Sequence, residues 1–185
     1  MEDYYPPINF STVESGFFRS SFPSTKNFPF LKRLKLKTIL SLVVEEYPAK
    51  NLKFLKEQHI ELIQIGLSPN KEPFVEAQYE LIVKALKTIC DRRNHPILIH
   101  CNSGKHRTGT VVGCVRKLQG WCLSSIFAEY IRFSNPKHRV LDQQCIELFR
   151  VHTFINKEEG LSSEFAPDWP GLPVKVAPSG TRAVE

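Results

Sequence analysis

Residues 96–118 read PILIHCNSGKHRTGTVVGCVRKL, and this stretch decides the fold. The apolar, β-branched run at its start predicts a buried strand over 97–100. The run that follows the polar loop has helical spacing and predicts a helix over 107–119. A strand, a tight loop and a helix in this order point backbone amides and the positive end of a helix dipole at one place. The stretch therefore predicts a binding site for an anion.

Cys101 and Arg107 begin and end this loop, with five residues between them. A helix N-terminus and a nearby cation favour the thiolate, which is the nucleophilic form of cysteine. The planar guanidinium of arginine binds two phosphoryl oxygens at once. Gly104 lets the loop turn, and Thr108 can offer a hydroxyl to the thiolate. We predict that Cys101, Arg107 and Thr108 are catalytic. The alternative is an ordinary buried cysteine at a strand end.

The decapeptide at 100–109 fits the pattern Cys-x5-Arg followed by Thr-Gly, and it resembles the signature loop of cysteine-dependent phosphatases. A narrower resemblance, over about residues 6–150, is to the plant and fungal atypical dual-specificity phosphatases, which are tyrosine-phosphatase-like inositol pyrophosphate phosphatases. The segments that carry this narrower resemblance are 6–10, 19–23, 45–48, 70–74, 104–109, 112–119 and 121–127.

This resemblance implies a compact phosphatase domain that hydrolyses the β-phosphate of inositol pyrophosphates. The thiol facing Arg107 at a helix N-terminus predicts that the reaction passes through a phosphocysteine intermediate on Cys101. The chain departs from the family pattern at one position of the loop. The family usually carries a basic residue where this chain has Ser103, so one substrate contact is absent or replaced.

The remaining chain predicts strands that alternate with helices. A β-hairpin is expected over 9–20 with its turn at Gly16. Helices are expected over 27–36, 48–58 and 74–91, from Ser124 or Ser125 to 133, and from Asp142 to 156, while further strands are expected over 38–44 and 60–65. This alternation indicates an α/β fold with a mainly parallel central sheet flanked by helices, as in dual-specificity phosphatases.

Length and composition indicate one globular domain. The chain has 185 residues, of which 42% are hydrophobic, and its net charge of +6 suits an anionic ligand. We predict a phosphatase domain over 1–160. Residues 166–185 hold four prolines and two glycines without an apolar period, so 161–185 are predicted to be a disordered tail.

The five cysteines lack paired spacings, which favours a reducing compartment, the cytoplasm or the nucleus. The acidic, polar N-terminus does not have the pattern of a signal peptide. The apolar runs are too short to span a bilayer, and no nucleic-acid motif is visible. We therefore expect no membrane or nucleic-acid partner, and also no cofactor or metal. Protein partners are not predicted.

Tyrosine phosphatases usually place an aspartate some thirty residues before the cysteine, where it protonates the leaving oxygen. The matching loop here, 66–73, has no aspartate, and its one carboxylate is Glu72, 29 residues before Cys101. Glu72 is a candidate general acid, or it simply begins the next helix. A phenol leaves with a pKa near 10 and needs a proton, whereas a phosphate monoester has a pKa of about 6 and does not. A loop without a clear acid therefore favours phosphoanhydride substrates.

Residues of two facing loops are candidates for substrate binding: Asn70, Lys71, Asn102, Ser103, Gly104, Lys105 and His106. The alternative for Lys105 and His106 is that they point into solvent. Arg19 either lines the site or lies at a solvated edge. His100 is predicted to be a buried residue that hydrogen-bonds the loop.

Three functions compete at this point. The first is an inositol pyrophosphate phosphatase. The second is a protein tyrosine or dual-specificity phosphatase that acts on phosphoproteins with Glu72 as its acid. The third is a phosphate-binding scaffold without activity, which has no need of an activated thiol at Cys101.

Overall fold

A computed structural model of the chain describes residues 4–68, 78–156 and 164–173. Within these ranges, a five-stranded sheet carries helices on both faces. The strands are β1 (Ser11–Glu14), β2 (Phe17–Ser20), β3 (Thr38–Ser41), β4 (Glu61–Gln64) and β5 (Ile97–His100). The α-helices are α1 (Phe28–Arg33), α2 (Ala49–Glu57), α3 (Tyr79–Ile89), α4 (His106–Leu118), α5 (Leu123–Ser134), α6 (Val140–Leu148) and α7 (Val151–Asn156).

The sheet has the order β1-β2-β5-β3-β4, and only the β1–β2 pair is antiparallel. The predicted hairpin and the mainly parallel sheet are therefore confirmed. In register, His100 at the end of β5 lies between Ser20 of β2 and Ser41 of β3. Because parallel strands end at the same edge, the loop after β5 emerges at the middle of this edge, where ligands bind in α/β folds.

Each face of the sheet has its own apolar core. Side chains that alternate along a strand point to opposite faces, so Leu40 and Ile99 pack under α3–α7 while Ile39 and Leu98 pack under α1 and α2. The central strand β5 is buried along its whole length, as its uninterrupted apolar sequence predicts. This rigid centre fixes the position of the loop that follows it.

Two predicted helices have different ends in the structure. The helix expected over 27–36 is the short α1, preceded by a 3₁₀ turn at Thr25–Asn27. The N-cap of α5 is Cys122, so neither Ser124 nor Ser125 caps it. Both hydroxyls instead contact the Cys122 sulfur, at 3.3 and 3.1 Å. These hydroxyls bond to a neighbouring side chain within the first turn and do not cap the helix. Sequence spacing alone does not decide between these two kinds of local hydrogen bond.

The helix predicted from Asp142 to 156 is two helices, α6 and α7. Phe149 leaves the helical conformation at the end of α6, where its ring packs against Tyr79 and Phe154. Asp142 does not cap α6, because Arg139 occupies the N-cap and Asp142 lies in the first turn with its carboxylate buried. Tertiary packing of an aromatic ring thus overrides the helical pattern at this point.

The segment 164–173 packs against the domain, so the prediction of a disordered tail is wrong for these ten residues. The Trp169 ring is stacked on Phe17 at 5.5 Å and on His95 at 5.3 Å, and its indole N–H donates to the carbonyl of Ser15 at 3.1 Å. Leu172 joins the same core. One large aromatic side chain anchors the segment, which composition alone does not reveal.

Several predictions fall on residues outside the described ranges. These are most of the loop 66–73, the first turn of the helix expected at 74, and the rest of the tail. Within the described residues, the helix at 74–91 is seen as α3. No helix in the described parts of the chain has both the length and the apolar character needed to cross a membrane.

Candidate active site

Cys101 directly follows β5, and its side chain is buried at the base of the polar loop. Its thiol is free, as are the other four cysteines. The helix α4 begins five residues later, so the positive end of its dipole faces the loop. The predicted order of strand, loop and helix is therefore confirmed, and it places the thiol at an anion-binding position.

Three consecutive carbonyls of the loop are held from outside by the N-terminal part of the chain. The carbonyl of Asn102 accepts from the Phe22 amide at 3.1 Å. The carbonyl of Ser103 accepts from the Asn9 side-chain amide at 2.9 Å. The carbonyl of Gly104 accepts from the Arg19 guanidinium at 3.0 Å. We call these three hydrogen bonds the loop tethers.

The loop tethers determine where the loop amides point. In a planar trans peptide the N–H points opposite to the C=O. With the three carbonyls turned outward, the amides of Ser103, Gly104 and Lys105 turn to the inner side of the loop. None of these three amides has an acceptor among the described residues. The loop that begins at Cys101 thus offers a row of free donors, which suits a phosphoryl group.

Gly104 is required by the close approach of β2 to the loop. Its φ is +68°, and a Cβ atom there would lie 2.6 Å from the backbone carbon and oxygen of Ser20. Any side chain would therefore push the loop away from β2, which carries the Arg19 tether. The sequence prediction that this glycine serves the turn is confirmed.

Arg107 is held by the two segments that follow β3 and β4. Its Nη1 donates to the carbonyl of Leu42 at 3.1 Å and to that of Leu67 at 3.0 Å. Its Nε and Nη2 have no hydrogen-bond partner among the described residues. One edge of the guanidinium is thus anchored to the protein while the other edge stays available. That free edge has the two parallel donors needed to bind a phosphoryl group bidentately.

His100 is buried behind the cysteine, as predicted. Its Nε2 lies 3.1 Å from the Tyr47 hydroxyl, and its Nδ1 lies 3.4 Å from the carbonyl of Cys101. Burial lowers the pKa of His100 to about 4, against a small opposing effect of its bond to the Cys101 carbonyl. His100 is therefore neutral at pH 7 and supports the loop instead of acting as a base.

The hydroxyl of Thr108 is buried and has no hydrogen-bond partner in the described part of the chain. The predicted bond from Thr108 to the Cys101 sulfur is therefore not formed in this structure. A buried hydroxyl without a partner is uncommon and is retained where the reaction uses it. Its role as a donor to the sulfur during the reaction stays a prediction.

Lys105 and His106 make specific contacts and do not simply point into solvent. The Lys105 ammonium donates to the carbonyl of Asn135 at the end of α5, at 2.9 Å. The His106 Nδ1 lies 3.2 Å from the Asp142 carboxylate and 3.3 Å from the Tyr130 hydroxyl. The Tyr130 hydroxyl also donates to Asp142, at 2.6 Å. A polar cluster on α5 and α6 thus orients the first residue of α4, which directly precedes Arg107.

Sequence reasoning missed the groups that support the loop from a distance. It did not single out Asn9, Tyr130 or the side chain of Asp142, and it left Arg19 undecided between the site and a solvated edge. Arg19 is fully buried beneath the loop. The available signals were the segments 6–10 and 19–23, which contain Asn9 and Arg19 and carry part of the family resemblance without explaining it.

Three of the predicted site residues, Asn70, Lys71 and Glu72, lie outside the described residues. The other predicted contacts, Asn102 to His106, lie together in the loop and the first residue of α4. Among the described residues, no cluster of three or more histidine, cysteine and carboxylate side chains could hold a metal ion.

The groups of this loop suit phosphoryl transfer. Cys101 begins a loop whose free amides and whose Arg107 guanidinium can bind phosphoryl oxygens, and a thiolate in this loop is suited to attack phosphorus. The fold and the loop therefore define a cysteine-dependent phosphatase. The sequence profile of the tyrosine phosphatase family matches residues 4–165, and the chain belongs to this family.

Two individual relatives show which members of the family this chain is similar to. The inositol diphosphatase SIW14 of Saccharomyces cerevisiae is 56% identical over 149 residues, which cover 80% of this chain and 53% of that protein. The match thus spans about half the length of the yeast relative. The inositol diphosphatase DSP4 of Arabidopsis thaliana is 52% identical over 150 residues, which cover 81% of this chain and 76% of that protein.

A solved structure agrees with both comparisons. The core catalytic domain of the PP-IP phosphatase SIW14 from S. cerevisiae, crystallised with citrate, is 54% identical and superposes with a TM-score of 0.76. The superposition covers 80% of this chain and 89% of that one. The fold class predicted from the sequence is therefore confirmed.

Proposed function

We propose that this protein hydrolyses the β-phosphate of inositol pyrophosphates through a phosphocysteine intermediate. The single observation that carries the proposal is the loop that begins at Cys101, whose carbonyls are bonded outward and whose Arg107 keeps one edge of its guanidinium unbonded among the described residues. The similarity to relatives that are named inositol diphosphatases supports the choice of substrate.

The reaction divides into two displacements at phosphorus. The Cys101 thiolate attacks the β-phosphorus, the bond from phosphorus to the bridging oxygen breaks, and the inositol phosphate leaves with the electron pair. Water then attacks the phosphocysteine, the sulfur leaves as a thiolate, and inorganic phosphate is released. In both steps the inward amides and the Arg107 fork hold the charge that develops on the phosphoryl oxygens.

The leaving group explains how the reaction proceeds without an aspartate in the loop 66–73. A phosphate monoester, with a pKa of about 6, leaves as an anion at pH 7. A phenol or a serine alkoxide would need a proton from a general acid. The sequence of this loop therefore supports an anhydride substrate more than a phosphoprotein.

The remaining phosphates of the inositol ring need cations and donors around the loop. Lys105 and His106 lie at its rim in the described structure, and Lys71 is placed there by sequence alone. We propose that Lys105 exchanges its bond with the Asn135 carbonyl for a ring phosphate when substrate binds. Asn70, Asn102 and Ser103 supply neutral donors in the same proposal.

A substrate comparison tests this function. We would measure kcat/KM of the wild type for an inositol pyrophosphate, a phosphotyrosine peptide and a small aryl phosphate. The same measurement on Lys105→Ala should show a larger loss for the inositol substrate than for the aryl phosphate, which reaches only the loop. Glu72→Gln should change anhydride cleavage little, because its leaving group needs no proton.

Cys101→Ser provides the matched control. This variant should keep the melting temperature and substrate binding while turnover of every substrate is lost. Substantial activity remaining in Cys101→Ser would contradict the phosphocysteine route. A wild type that prefers the phosphopeptide, and loses that activity in Glu72→Gln, would instead identify a protein phosphatase.

A further inference from the structure

Arg19 lies behind the phosphate-binding loop and not on its open side. It is on β2, in register with Ile99 of the central strand, and only 1% of its surface is exposed. Its Nη2 donates to the carbonyl of Gly104, and its guanidinium lies 3.8 Å from the centre of the Phe133 ring. No substrate can reach this side chain without the loop being displaced.

Few hydrogen bonds compensate the burial of this arginine. Its Nε and Nη1 are buried without a partner among the described residues. Arg116, another buried arginine, differs in this respect because it pairs with Glu14 at 2.7 Å and Glu129 at 2.9 Å. Burying a charged group with unused donors is costly, and an apolar side chain would avoid that cost. Packing alone therefore does not account for Arg19.

The Arg19 guanidinium and an ionised Cys101 thiol attract each other through space. Burial lowers the pKa of Arg19 to about 10, while the charges of Glu129 and Cys101 raise it and that of Arg116 lowers it. Arg19 thus remains a cation at pH 7. The charged groups that face this region are Glu129 on α5, Arg107 and Arg116 on α4, and Arg19 on β2, since His100 is neutral. A buried cation is only weakly screened by salt.

The hydrogen bond from Arg19 also sets the orientation of one peptide. The Gly104–Lys105 bond is a trans peptide, because the cis bonds in the described chain both precede prolines. With its carbonyl drawn toward Arg19, this peptide directs the Lys105 amide to the inner side of the loop. Loss of the bond would let the peptide rotate, and Gly104 offers little resistance to that rotation.

We propose that Arg19 is a positioning residue of the phosphatase reaction, which directs the Lys105 amide at the phosphoryl group and stabilises the Cys101 thiolate by its charge. The proposal rests on the function of Cys101 proposed above. It does not depend on the identity of the substrate, because both effects are properties of the loop.

Two measurements on Arg19→Gln test the two effects without a substrate. The ionisation of Cys101 is followed by thiolate absorbance, as the difference between each protein and its Cys101→Ser counterpart. Its midpoint should rise when the nearby cation is removed. Binding of inorganic phosphate should weaken by at least about tenfold, because one inward donor is no longer fixed.

Three further variants separate charge, hydrogen bond and stability. Arg19→Lys keeps the positive charge but lacks the guanidinium that bonds the Gly104 carbonyl. This variant should therefore have the wild-type ionisation midpoint of Cys101, while its phosphate binding stays weak. Asn9→Gly removes a different loop tether at a position whose φ of 56° suits glycine, so phosphate binding should weaken at an unchanged midpoint. Arg116→Gln removes a buried cation that bonds no carbonyl of the loop, so it should lower the melting temperature while phosphate binding stays unchanged.

The outcomes decide the proposal. Wild-type phosphate affinity together with an unchanged ionisation midpoint in Arg19→Gln would overturn it. The proposal would also be overturned if Arg116→Gln, at a similar loss of melting temperature, weakened phosphate binding as much as Arg19→Gln does. If Arg19→Gln does not fold, Arg19→Lys decides, and wild-type phosphate affinity in that variant overturns the proposal. Turnover by Cys101→Ser would show that Cys101 is not the nucleophile. The effect of Arg19 on phosphate binding would still be decided by the measurements on Arg19→Gln and Arg19→Lys.

Discussion

The Tyr47 hydroxyl lies 3.1 Å from Nε2 of His100, one residue before the proposed nucleophile. On the other side of the ring, Nδ1 faces the carbonyl of Cys101, which can only accept a hydrogen bond. Nδ1 therefore carries the proton, and Nε2 accepts from Tyr47. Both hydrogen bonds of the ring therefore require the neutral imidazole. Protonation at Nε2 would remove the acceptor for the Tyr47 hydroxyl.

The stability of the protein should fall in acid because of His100. Its pKa in the folded state is about 4, below the value of about 6.5 expected when unfolded, so the unfolded chain binds the extra proton first. The contribution is fully present above pH 6.5 and is lost as the pH falls toward 4, by on the order of 3 kcal/mol. Burial also lowers the pKa of His95, which acts in the same direction.

Urea denaturation between pH 7 and pH 4.5 measures this effect. His100→Gln should reduce the slope of unfolding free energy against pH, whereas replacement of the exposed His152 by glutamine should leave the slope unchanged. An identical slope in His100→Gln and the wild type would show that His100 does not carry the acid sensitivity.

Replacing Arg107 by lysine should lower kcat by at least about a hundredfold, as for loss of one preorganised donor in a transition state. Lysine keeps the charge but has no planar fork, and it cannot bond Leu42 and Leu67 while also binding two phosphoryl oxygens. Steady-state kinetics with an aryl phosphate would measure the effect, and Lys117→Arg, on a later turn of α4, serves as the control. A near-normal kcat in Arg107→Lys would contradict the role of the fork.

Trp169→Ala should destabilise the domain by about 3–5 kcal/mol, because a buried aromatic ring is lost from its site between Phe17 and His95. The melting temperature should fall by roughly 10 °C. The matched control is Trp121→Ala, since Trp121 is 42% exposed and Trp169 only 5%. Equal shifts for the two tryptophans would mean that the segment 164–173 does not hold to the domain in solution.

Asp142→Asn should weaken binding of a polyphosphorylated substrate more than that of an aryl phosphate. The substitution removes the carboxylate charge that orients His106 at the rim of the loop, while the asparagine oxygen can still accept from Tyr130. KM for the inositol substrate should rise several-fold at a nearly constant kcat. Glu147→Gln alters an exposed carboxylate on the same helix and should leave both constants unchanged. A fall in kcat alone would contradict a role for this cluster in substrate binding.

The sequence predicted the fold and the site correctly where the residues involved are neighbours in the chain. The strand before Cys101, the loop and α4 follow from residues that are neighbours in the chain, and the roles of Gly104 and His100 follow from the same stretch. Arg19, Asp142 and Trp169 could not be placed in this way. Each acts on residues far away in sequence, and its own neighbours carry no periodic pattern that predicts where it packs.

The two side-chain loop tethers have a consequence for folding. They join the loop to residues 94 and 85 positions earlier in the chain, namely Asn9 to Ser103 and Arg19 to Gly104. Contacts of such high sequence separation form only when the chain has closed the intervening loop, which makes them slow and late. A peptide that contains the whole signature stretch would therefore lack an ordered anion site. In refolding, recovery of phosphate binding should follow the formation of helical structure and report completion of the native topology.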